Sequence, residues 1–167
     1  MFLEHAVGPC PELETERQRR VDELYLTSHG QDQALEKLVE LTARCLKAPI
    51  AFVSILDNQR QWFLARVGLG IEETPRHQSF CVYAVPHQPP LQVTDASTDP
   101  RFRDNPLVTG TPGIRFYAGA PLITNDGLML GSLCIIDTKP RSELDERRAD
   151  HPGATGRSGD DADDGDA

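Results

Sequence analysis

The segment that most constrains the fold is IRFYAGAPLITNDGLMLGSLCIID, residues 114–137, in which two apolar runs flank Asn125, Asp126 and Gly127. Asp-Gly between alternating apolar residues predicts a β-hairpin, because both residues tolerate the positive φ of a tight turn. A two-residue loop of Asp126 and Gly127 also sets the register of the strands. The predicted opposite pairs are Ile123 with Leu130, Pro121 with Ser132, Gly119 with Cys134 and Tyr117 with Ile136.

The two faces of this hairpin carry side chains of different size. Alternation along the strands assigns one face to the larger apolar residues, which can receive amphipathic helices. These are Ile114, Phe116, Ala118, Ala120, Leu122, Met129, Leu133 and Ile135. The other face is a floor of mostly small residues: Tyr117, Gly119, Pro121, Ser132 and Cys134.

A floor of small residues lets something approach the sheet closely. One interpretation is a small-molecule pocket between this floor and a lid formed by segments 74–85 and 99–113. The alternative is that the glycines are twist or bulge positions and the lid fills the space with its own side chains, such as Phe80, Phe102 or Leu107.

Two amphipathic helices are predicted before the strands. Through ELETERQRRVDELYL, apolar residues recur at helical spacing, and the helix is expected to end near residues 28–30. Its apolar positions are Leu13, Val21, Leu24 and Tyr25. The second helix, in DQALEKLVELTARCLKAP, is closed by Pro49, and its predicted stripe comprises Ala34, Leu35, Leu38, Leu41, Thr42 and Cys45.

The remaining chain is predicted to form short strands, loops and one short helix. IAFVSIL (50–56) and QWFLARV (61–67) form a second hairpin with a four-residue connection. A short helix is predicted at 80–85 and a third strand in LQVTDA. Asp99-Pro100 is predicted to start a helix and Asn105-Pro106 to break one.

Long helices followed by antiparallel hairpins predict an α+β fold, with helices packed on one face of a central antiparallel sheet and a lid on the other.

Charge excludes two classes of partner. The net charge is −9, and five aspartates lie in the last ten residues, SGDDADDGDA. Neither nucleic acid nor an anionic membrane surface is therefore expected to bind. The amino terminus lacks the features of a secretory signal, and no run approaches the ~18 apolar residues of a membrane span, so a cytoplasmic protein is predicted.

The cysteines and histidines show no metal-binding pattern. Cys10, Cys45, Cys81 and Cys134 lie far apart in the sequence, so free thiols are expected rather than a disulfide framework. His29, His77 and His87 are scattered without paired ligand spacing, and no metal is predicted.

Several blocks together resemble the GAF domains of bacterial signalling proteins. The blocks are SFCVYAV (79–85), VTDASTDPRFRDNPLVTGTPGIRFYAGAPL (93–122) and GSLCIIDTKPR (131–141), and the similarity extends to IAFVSILDNQRQWFLARVGL. The resemblance implies a sheet with helices on one face and a small-molecule pocket on the other. GAF domains commonly lie upstream of histidine kinases, diguanylate cyclases, phosphodiesterases or PAS modules, and no block here resembles such an output module.

The resemblance divides the chain into three parts. These are an N-terminal segment and helix (1–30), a GAF domain (31–141) and an acidic disordered tail (142–167). In relatives a long helix follows the last strand, whereas this chain becomes polar after Arg141. A stand-alone sensor and a truncated remnant of a sensor kinase or cyclase are both consistent with that departure.

The resulting expectation is a non-enzymatic sensory module in bacterial signal transduction. Its ligand, an unidentified small molecule, would lie between the sheet floor and the lid. The candidate pocket residues are Phe80, Cys81, Arg115, Tyr117, Gly119, Ser132 and Cys134. The two long helices are the expected surface for a homodimer and for a signalling protein partner.

Redox chemistry is the alternative to a purely binding role. Cys81 and Cys134 both fall at the expected pocket, and a thiol with a lowered pKa is reactive. The resemblance to GAF domains includes an enzymatic branch, the free methionine-(R)-sulfoxide reductases, and an enzyme of that type is the second hypothesis. The blocks characteristic of that enzyme are absent from the sequence. No particular cofactor is indicated.

Overall fold

The computed structural model describes residues 11–27, 32–84 and 90–145. It contains three α-helices, six strands and two 3₁₀ helices in these ranges. The helices are α1 (Pro11–Thr27), α2 (Gln33–Cys45) and α3 (Pro106–Thr109). The strands are β1 (Ile50–Leu56), β2 (Arg60–Val67), β3 (Glu73–Pro75), β4 (Leu91–Val93), β5 (Phe116–Ile123) and β6 (Met129–Asp137). The 3₁₀ helices are Arg76–Gln78 and Phe80–Tyr83, the second of which we name the lid helix.

All six strands form one antiparallel sheet in the order β3-β2-β1-β6-β5-β4. The two predicted hairpins, β1–β2 and β5–β6, lie side by side because β1 pairs with β6 at the centre. The predicted α+β architecture is confirmed. The sequence analysis missed β3, an edge strand of three residues that contains Pro75. Proline lacks an amide donor and is tolerated at a sheet edge, but it makes so short a strand look like a loop.

The predicted hairpin register is confirmed along most of its length and wrong at its tip. Tyr117 pairs with Ile136, Gly119 with Cys134 and Pro121 with Ser132. An irregularity between Leu122 and Ile123 then pairs Ile123 with Met129 instead of Leu130. At this bulge β6 contains one residue more than β5, namely Leu130, so the register counted from a two-residue loop fails there.

The helices cover one face of the sheet, where Phe116, Ala118, Leu133 and Ile135 lie as predicted. Two other assignments to that face are wrong. Ile114 precedes β5 and joins the lid-side core, and Met129 packs with Leu56 in a separate small cluster. Strand alternation applies only inside the regular strand, and Ile114 and Met129 lie outside it. Leu122 is paired regularly with Gly131 but is exposed near the hairpin tip, so it does not join the core.

The buried face of α2 is rotated from the predicted stripe and shares Leu35 with it. Leu35, Val39 and Ala43 pack against the sheet, whereas Leu38 and Leu41 are 48% and 57% exposed and Cys45 is exposed. Apolar residues surround much of this helix, so spacing alone fits two overlapping faces. The two buried residues at the interface, Ala43 and Val39, are small and β-branched respectively, which lets α2 approach Ala51 and Ala65 of the sheet closely.

The buried side of α1 consists of Val21 and Arg17, which are 2% and 6% exposed. Leu13 and Tyr25, which are predicted to lie on the apolar face, are more than half exposed, although the ring of Tyr25 packs edge-on against Trp62 with centroids 5.6 Å apart. Residues 28–30, the predicted end of this helix, lie outside the described residues. The predicted domain boundary at residue 30 and most of the predicted tail from residue 142 lie outside them too.

No helix in the described ranges is long and apolar enough to cross a bilayer.

The opposite face of the sheet is covered by the two predicted lid segments, 74–85 and 99–113, of which residue 85 lies outside the described residues. Within the second segment, Asn105-Pro106 begins a helix rather than breaking one. The Asn105 side chain accepts a hydrogen bond from the amide of Leu107 at 2.9 Å, and Pro106 occupies the first turn of α3. Proline has no amide to leave unpaired in a first turn, which is why it starts a helix as readily as it ends one.

Candidate functional site

A closed group of polar side chains lies between the lid helix and the sheet. It contains Ser54 of β1, Gln61 of β2, Cys81 of the lid helix, Tyr117 of β5, and Ser132 and Cys134 of β6. We name these six residues the thiol cluster. Each is at most 4% exposed. Polar groups so deeply buried require hydrogen-bond partners within the protein, and the thiol cluster supplies them internally.

Strand register brings the sheet members of the cluster together. Ser54 is paired with Ser132, and Cys134 lies two residues further along β6, opposite Gly119. A register shift in β1 between Val53 and Ser54 lies next to the cluster. Gly131 permits this close approach, because a Cβ there would overlap the carbonyl group of Ser54.

Ser79 positions Cys81 of the lid helix. Its hydroxyl caps the lid helix by accepting a hydrogen bond from the amide of Cys81 at 3.1 Å. Ser79 itself is 2% exposed. The cap fixes where the lid helix begins, and therefore where the Cys81 side chain enters the sheet face.

The Cys81 sulfur is the centre of the cluster. It accepts hydrogen bonds from the hydroxyl of Ser132 at 2.8 Å and from Nε2 of Gln61 at 2.9 Å. The hydroxyl of Tyr117 lies 3.2 Å from this sulfur, and the sulfur of Cys134 lies 3.6 Å from it. So many potential donors around one sulfur favour a thiolate over a thiol.

The two thiols of the cluster differ in acidity. Burial raises the pKa of Cys81, but the hydrogen bonds from Cys134, Ser132, Tyr117 and Ser54 outweigh burial and lower that pKa to about 6. Burial, reinforced by the neighbouring Cys81, raises the pKa of Cys134 well above its ordinary value. The pair therefore consists of one thiolate at neutral pH and one protonated thiol.

A second set of contacts holds Gln61 in place. Its Nε2 donates to the hydroxyl of Ser54 at 2.8 Å as well as to Cys81, and its Oε1 accepts from the hydroxyl of Thr74 at 3.3 Å. Thr74 lies on edge strand β3 and is 5% exposed. The amide of Gln61 thus connects the lid-side cluster to the edge of the sheet.

Aromatic rings close the cluster from above. Phe80 stacks on Phe102 with ring centroids 4.0 Å apart and planes at 6°, and Phe80 also lies 5.0 Å from the ring of Tyr117. A cavity of about 30 Å³ remains beside Cys81. Drug-sized ligands occupy pockets of about 300–1,000 Å³, so this conformation has space for little more than one water-sized molecule.

Gly119 leaves space for the ring of Tyr117. A Cβ at position 119 would lie 2.8 Å from Cζ of that ring and would overlap its hydroxyl oxygen. The absence of a side chain therefore lets the phenol lie along the strand and reach both sulfurs. The room left by this small residue is taken by the protein's own tyrosine.

The structure brings together five of the seven predicted pocket residues as side chains around one space. These are Phe80, Cys81, Tyr117, Ser132 and Cys134, and Gly119 forms the backbone beneath them. Arg115 does not join them. Its guanidinium donates to the carbonyl oxygens of Val108 and Ile114 at 3.1 Å and 2.9 Å, so it fixes the lid loop.

Sequence reasoning missed Ser54, Gln61 and Thr74 as members of the site. Alternation along β1 and β2 assigns a face to each residue, but it does not reveal which polar residue on that face is buried. Ser54 lies within the apolar run IAFVSIL, and a buried serine in such a run was the available signal. In the described part of the chain, no group of three or more metal-ligating side chains is present.

Comparison with known proteins identifies the family. The GAF domain family matches residues 31–150. Because this match covers most of the chain, the protein belongs to the GAF family.

Over 142 residues the chain is 54% identical to a cyclic di-GMP phosphodiesterase of Pseudomonas aeruginosa. The aligned region is 85% of this chain but only 24% of that enzyme, so the chain spans about a quarter of its length. The identity is high enough to show a close relationship for this region. It does not extend to the rest of the enzyme.

Solved structures confirm the fold. The GAF domain of a phosphoenolpyruvate-protein phosphotransferase from Coxiella burnetii superposes with a TM-score of 0.56 at 19% identity, covering 83% of this chain and 85% of that one. A type II free methionine-R-sulfoxide reductase from Thermoplasma acidophilum gives 0.53 at 14% identity, covering 82% and 85%. At such low identity the likeness is one of fold alone.

Proposed function

We propose that this protein is a non-enzymatic, cytoplasmic sensory module of a bacterial signalling system that controls cyclic di-GMP turnover. The observation that carries the proposal is the 54% identity to a region of a cyclic di-GMP phosphodiesterase. GAF domains are regulatory in most signalling proteins that contain them. The module would then receive a signal at the thiol cluster and transmit it to an output domain or partner.

A physical route for transmission starts in the lid. Arg76 lies in the 3₁₀ helix that precedes the lid helix, and the amide of Ser79 donates to its carbonyl oxygen at 3.0 Å. The guanidinium of Arg76 donates to the carbonyl of Asp57 at 2.6 Å and to Glu14 of α1 at 3.1 Å. The segment that carries Cys81 is therefore bonded directly to the first helix.

The α1 end of this route is also anchored. Glu14 forms an ion pair with Arg17 at 2.7 Å, and Arg17 is buried and donates to the carbonyl of Leu56 at the end of β1. Hydrogen bonding from Arg17 is the main cause that lowers the pKa of Glu14, and Arg76 contributes to the same effect. A displacement of the lid changes the partners of Glu14, which is the differential contact that a conformational signal requires.

The proposed output surface is formed by the two long helices. Leu13 and Tyr25 of α1 and Leu38 and Leu41 of α2 are 48–57% exposed. Large apolar side chains at such exposure favour association with another protein surface. A second copy of the chain is the proposed occupant, with a signalling protein contacting the same helices.

Hydrogen–deuterium exchange tests the route from lid to helix. Ser79→Ala removes the cap of the lid helix, and we expect faster exchange in residues 76–84 and also in residues 11–27. In an Arg76→Gln background the same change should affect only the lid. Arg103→Gln is the matched control, because within the described ranges the Arg103 guanidinium forms an ion pair with its exposed neighbour Asp104 alone. If Ser79→Ala loosens the lid and leaves α1 unchanged, the proposed route is wrong.

Turnover assays test whether the module is an enzyme. The purified chain is incubated with cyclic di-GMP and Mg²⁺, and separately with free methionine-(R)-sulfoxide and a dithiol reductant. We expect no conversion above buffer alone. Conversion of either compound would contradict the non-enzymatic proposal. Reduction of the sulfoxide that is lost in Cys81→Ser would favour the thiol-enzyme hypothesis.

A further inference from the structure

Two buried thiols on different elements face each other across the lid and the sheet. Cys81 and Cys134 are each 1% exposed, and their sulfurs are 3.6 Å apart although 53 positions separate them in the sequence. We propose that Cys81 and Cys134 are a redox pair that a small hydroperoxide oxidises to a disulfide, joining the lid helix to β6.

The geometry is close to that of a bridge. A disulfide has a sulfur–sulfur distance of about 2.05 Å, so the two sulfurs must approach by roughly 1.5 Å. A rotation of one side chain, or a small shift of the lid helix, gives a movement of this size. The remaining cysteine in the described residues, Cys45, is exposed on α2, the helix that packs on the opposite face of the sheet, and has no thiol neighbour among the described residues.

The two cysteines have the properties of an attacking and a resolving thiol. Cys81 is the attacking group, because its sulfur accepts hydrogen bonds from Ser132 and Gln61 that stabilise negative charge. Cys134 keeps its proton, since burial and the adjacent Cys81 raise its pKa. Reactive cysteines in redox sensors are commonly placed beside a second cysteine in this way.

The reaction balances in two steps. The Cys81 thiolate attacks one oxygen of the hydroperoxide, the oxygen–oxygen bond breaks, and the leaving alkoxide or hydroxide takes a proton from water. Cys81 is now a sulfenic acid. The sulfur of Cys134 then attacks the Cys81 sulfur, the sulfur–oxygen bond breaks, and the hydroxide leaves as water with the proton of Cys134. Two thiols lose two electrons, and the hydroperoxide is reduced to an alcohol, or to water, plus one further water molecule.

The cavity beside Cys81 selects the oxidant by size. Its volume is about 30 Å³, and its lining includes Cys81, Tyr117 and Ile71, the last of which is 42% exposed. The cavity therefore connects the buried thiol to a residue of the protein surface. Hydrogen peroxide is only slightly larger than water and fits this space, whereas an aromatic or peptide disulfide does not.

Oxidation would change the lid in a definite way. A disulfide removes the negative sulfur that Ser132 and Gln61 hydrogen bond, and it fixes the lid helix to β6. An effect of that change on α1 rests on the proposed function, since it requires the contact between Arg76 and Glu14. The disulfide itself does not depend on that contact.

The test is peptide mapping of the intact chain after peroxide treatment. The reduced protein is treated with hydrogen peroxide, its remaining thiols are alkylated under denaturing conditions, and it is digested with trypsin without reduction. We expect a cross-linked product of peptides 77–101 and 116–141, which contain Cys81 and Cys134. In the Cys45→Ser control the same product should form at the same rate.

Single variants test the two roles. In Cys134→Ser, Cys81 should accumulate as a sulfenic acid, which dimedone labels when the peroxide is removed and the chain is then unfolded in urea that contains dimedone. In Cys81→Ser the same procedure should leave Cys134 unlabelled. A bulky aromatic disulfide reagent should react with Cys45 and leave Cys81 unmodified in the folded chain.

Three results would overturn the proposal. The first is that peroxide-treated wild-type protein with an unchanged circular dichroism spectrum contains no cross-link between the two peptides. The second is that the cross-links found involve Cys10 or Cys45 and not the pair Cys81–Cys134. The third is that sulfenic acid is found on Cys134 and not on Cys81. The wild-type mapping needs no variant, so a variant that fails to fold leaves the decision intact. Because no output domain is used, a failure here is distinct from a failure of the proposed signalling role.

Discussion

Glu14 of α1 and Arg76 of the lid segment form an ion pair at 3.1 Å, although 62 positions separate them in the sequence. Both side chains are about three-quarters buried. The pair lies where the first helix, the β1–β2 turn and the lid segment meet, because Arg76 also bonds the carbonyl of Asp57. This contact connects the segment that carries Cys81 directly to the proposed output helix.

The anchoring of α1 depends on Arg17. Arg17→Ala removes a buried guanidinium that bonds both Glu14 and the carbonyl of Leu56, and we expect a loss of about 2–3 kcal/mol in the free energy of unfolding. Arg19→Ala is the matched control. Arg19 is half exposed and forms ion pairs with Glu16 and Glu23 on the helix surface, so its replacement should destabilise the chain far less than that of Arg17. Urea denaturation measures both, and equal losses would contradict the assigned role of Arg17.

The position of Tyr117 depends on the absence of a side chain at residue 119. Gly119→Ala places a methyl group against the phenol ring, and we expect a loss of about 1–3 kcal/mol in unfolding free energy. Gly70→Ala is the control, since a Cβ there meets no atom within 4 Å and should change stability by about 0.5 kcal/mol or less. The thermal or urea midpoints of the two variants give the comparison. A tolerated Gly119→Ala would show that Tyr117 does not need this space.

The acidity of Cys81 predicts the pH dependence of its oxidation. Its pKa is lowered to about 6. The fraction of Cys81 that is present as the reactive thiolate therefore decreases as the pH falls below that value, and deprotonation is nearly complete at neutral pH. The titratable groups that face it are Cys134 and Tyr117, and burial raises the pKa of both. The rate of peroxide oxidation at Cys81 should therefore rise through about pH 6 and become flat by pH 7–8.

The unfolded chain is the control for this profile. In urea the same cysteine should react with a midpoint near the ordinary thiol value of about 8.5. A folded-state midpoint as high as the unfolded one would show that the surrounding hydroxyl and amide donors do not stabilise the thiolate.

The exposed leucines of α2 test the proposed dimer surface. Leu38→Glu combined with Leu41→Glu places two charges on this face, and we expect light scattering to show a shift from dimer to monomer. Leu122→Glu is the control, because Leu122 is also exposed but lies at the hairpin tip. A monomeric wild-type chain, or a dimer that persists in the double variant, would contradict a dimer formed by the helices.

Much of the fold could be predicted from the sequence, because the signals were local. Asp126-Gly127 fixed a hairpin, and strand alternation placed Tyr117, Ser132 and Cys134 on one face. The bulge at Leu122 was not predictable, since an irregular pairing depends on both strands and leaves no residue signature in one of them. The orientation of α2 failed for a similar reason, because Leu38 and Val39 both belong to plausible apolar faces of that helix.

The site was predicted less completely than the fold. Small residues on the floor correctly indicated that something approaches the sheet closely, but the ring of Tyr117 and the lid aromatics take up most of that space. The partners of Cys81 from β1 and β2, Ser54 and Gln61, come from a distant hairpin. Their convergence requires the pairing of β1 with β6, which no local pattern encodes.

The most direct test of the signalling account is an exchange of segments. In the cyclic di-GMP phosphodiesterase of Pseudomonas aeruginosa, the 142-residue region that matches this chain is replaced by the corresponding residues of this chain, and cyclic di-GMP hydrolysis is measured. The exchange is repeated with Arg76→Gln and with the control Arg103→Gln.

If the lid is coupled to the output through Arg76 and Glu14, the exchanged enzyme is active and Arg76→Gln changes its rate by about fivefold or more, as expected for a typical coupling between sites. Arg103→Gln should leave the rate unchanged. Identical rates for all three folded proteins would contradict the central claim.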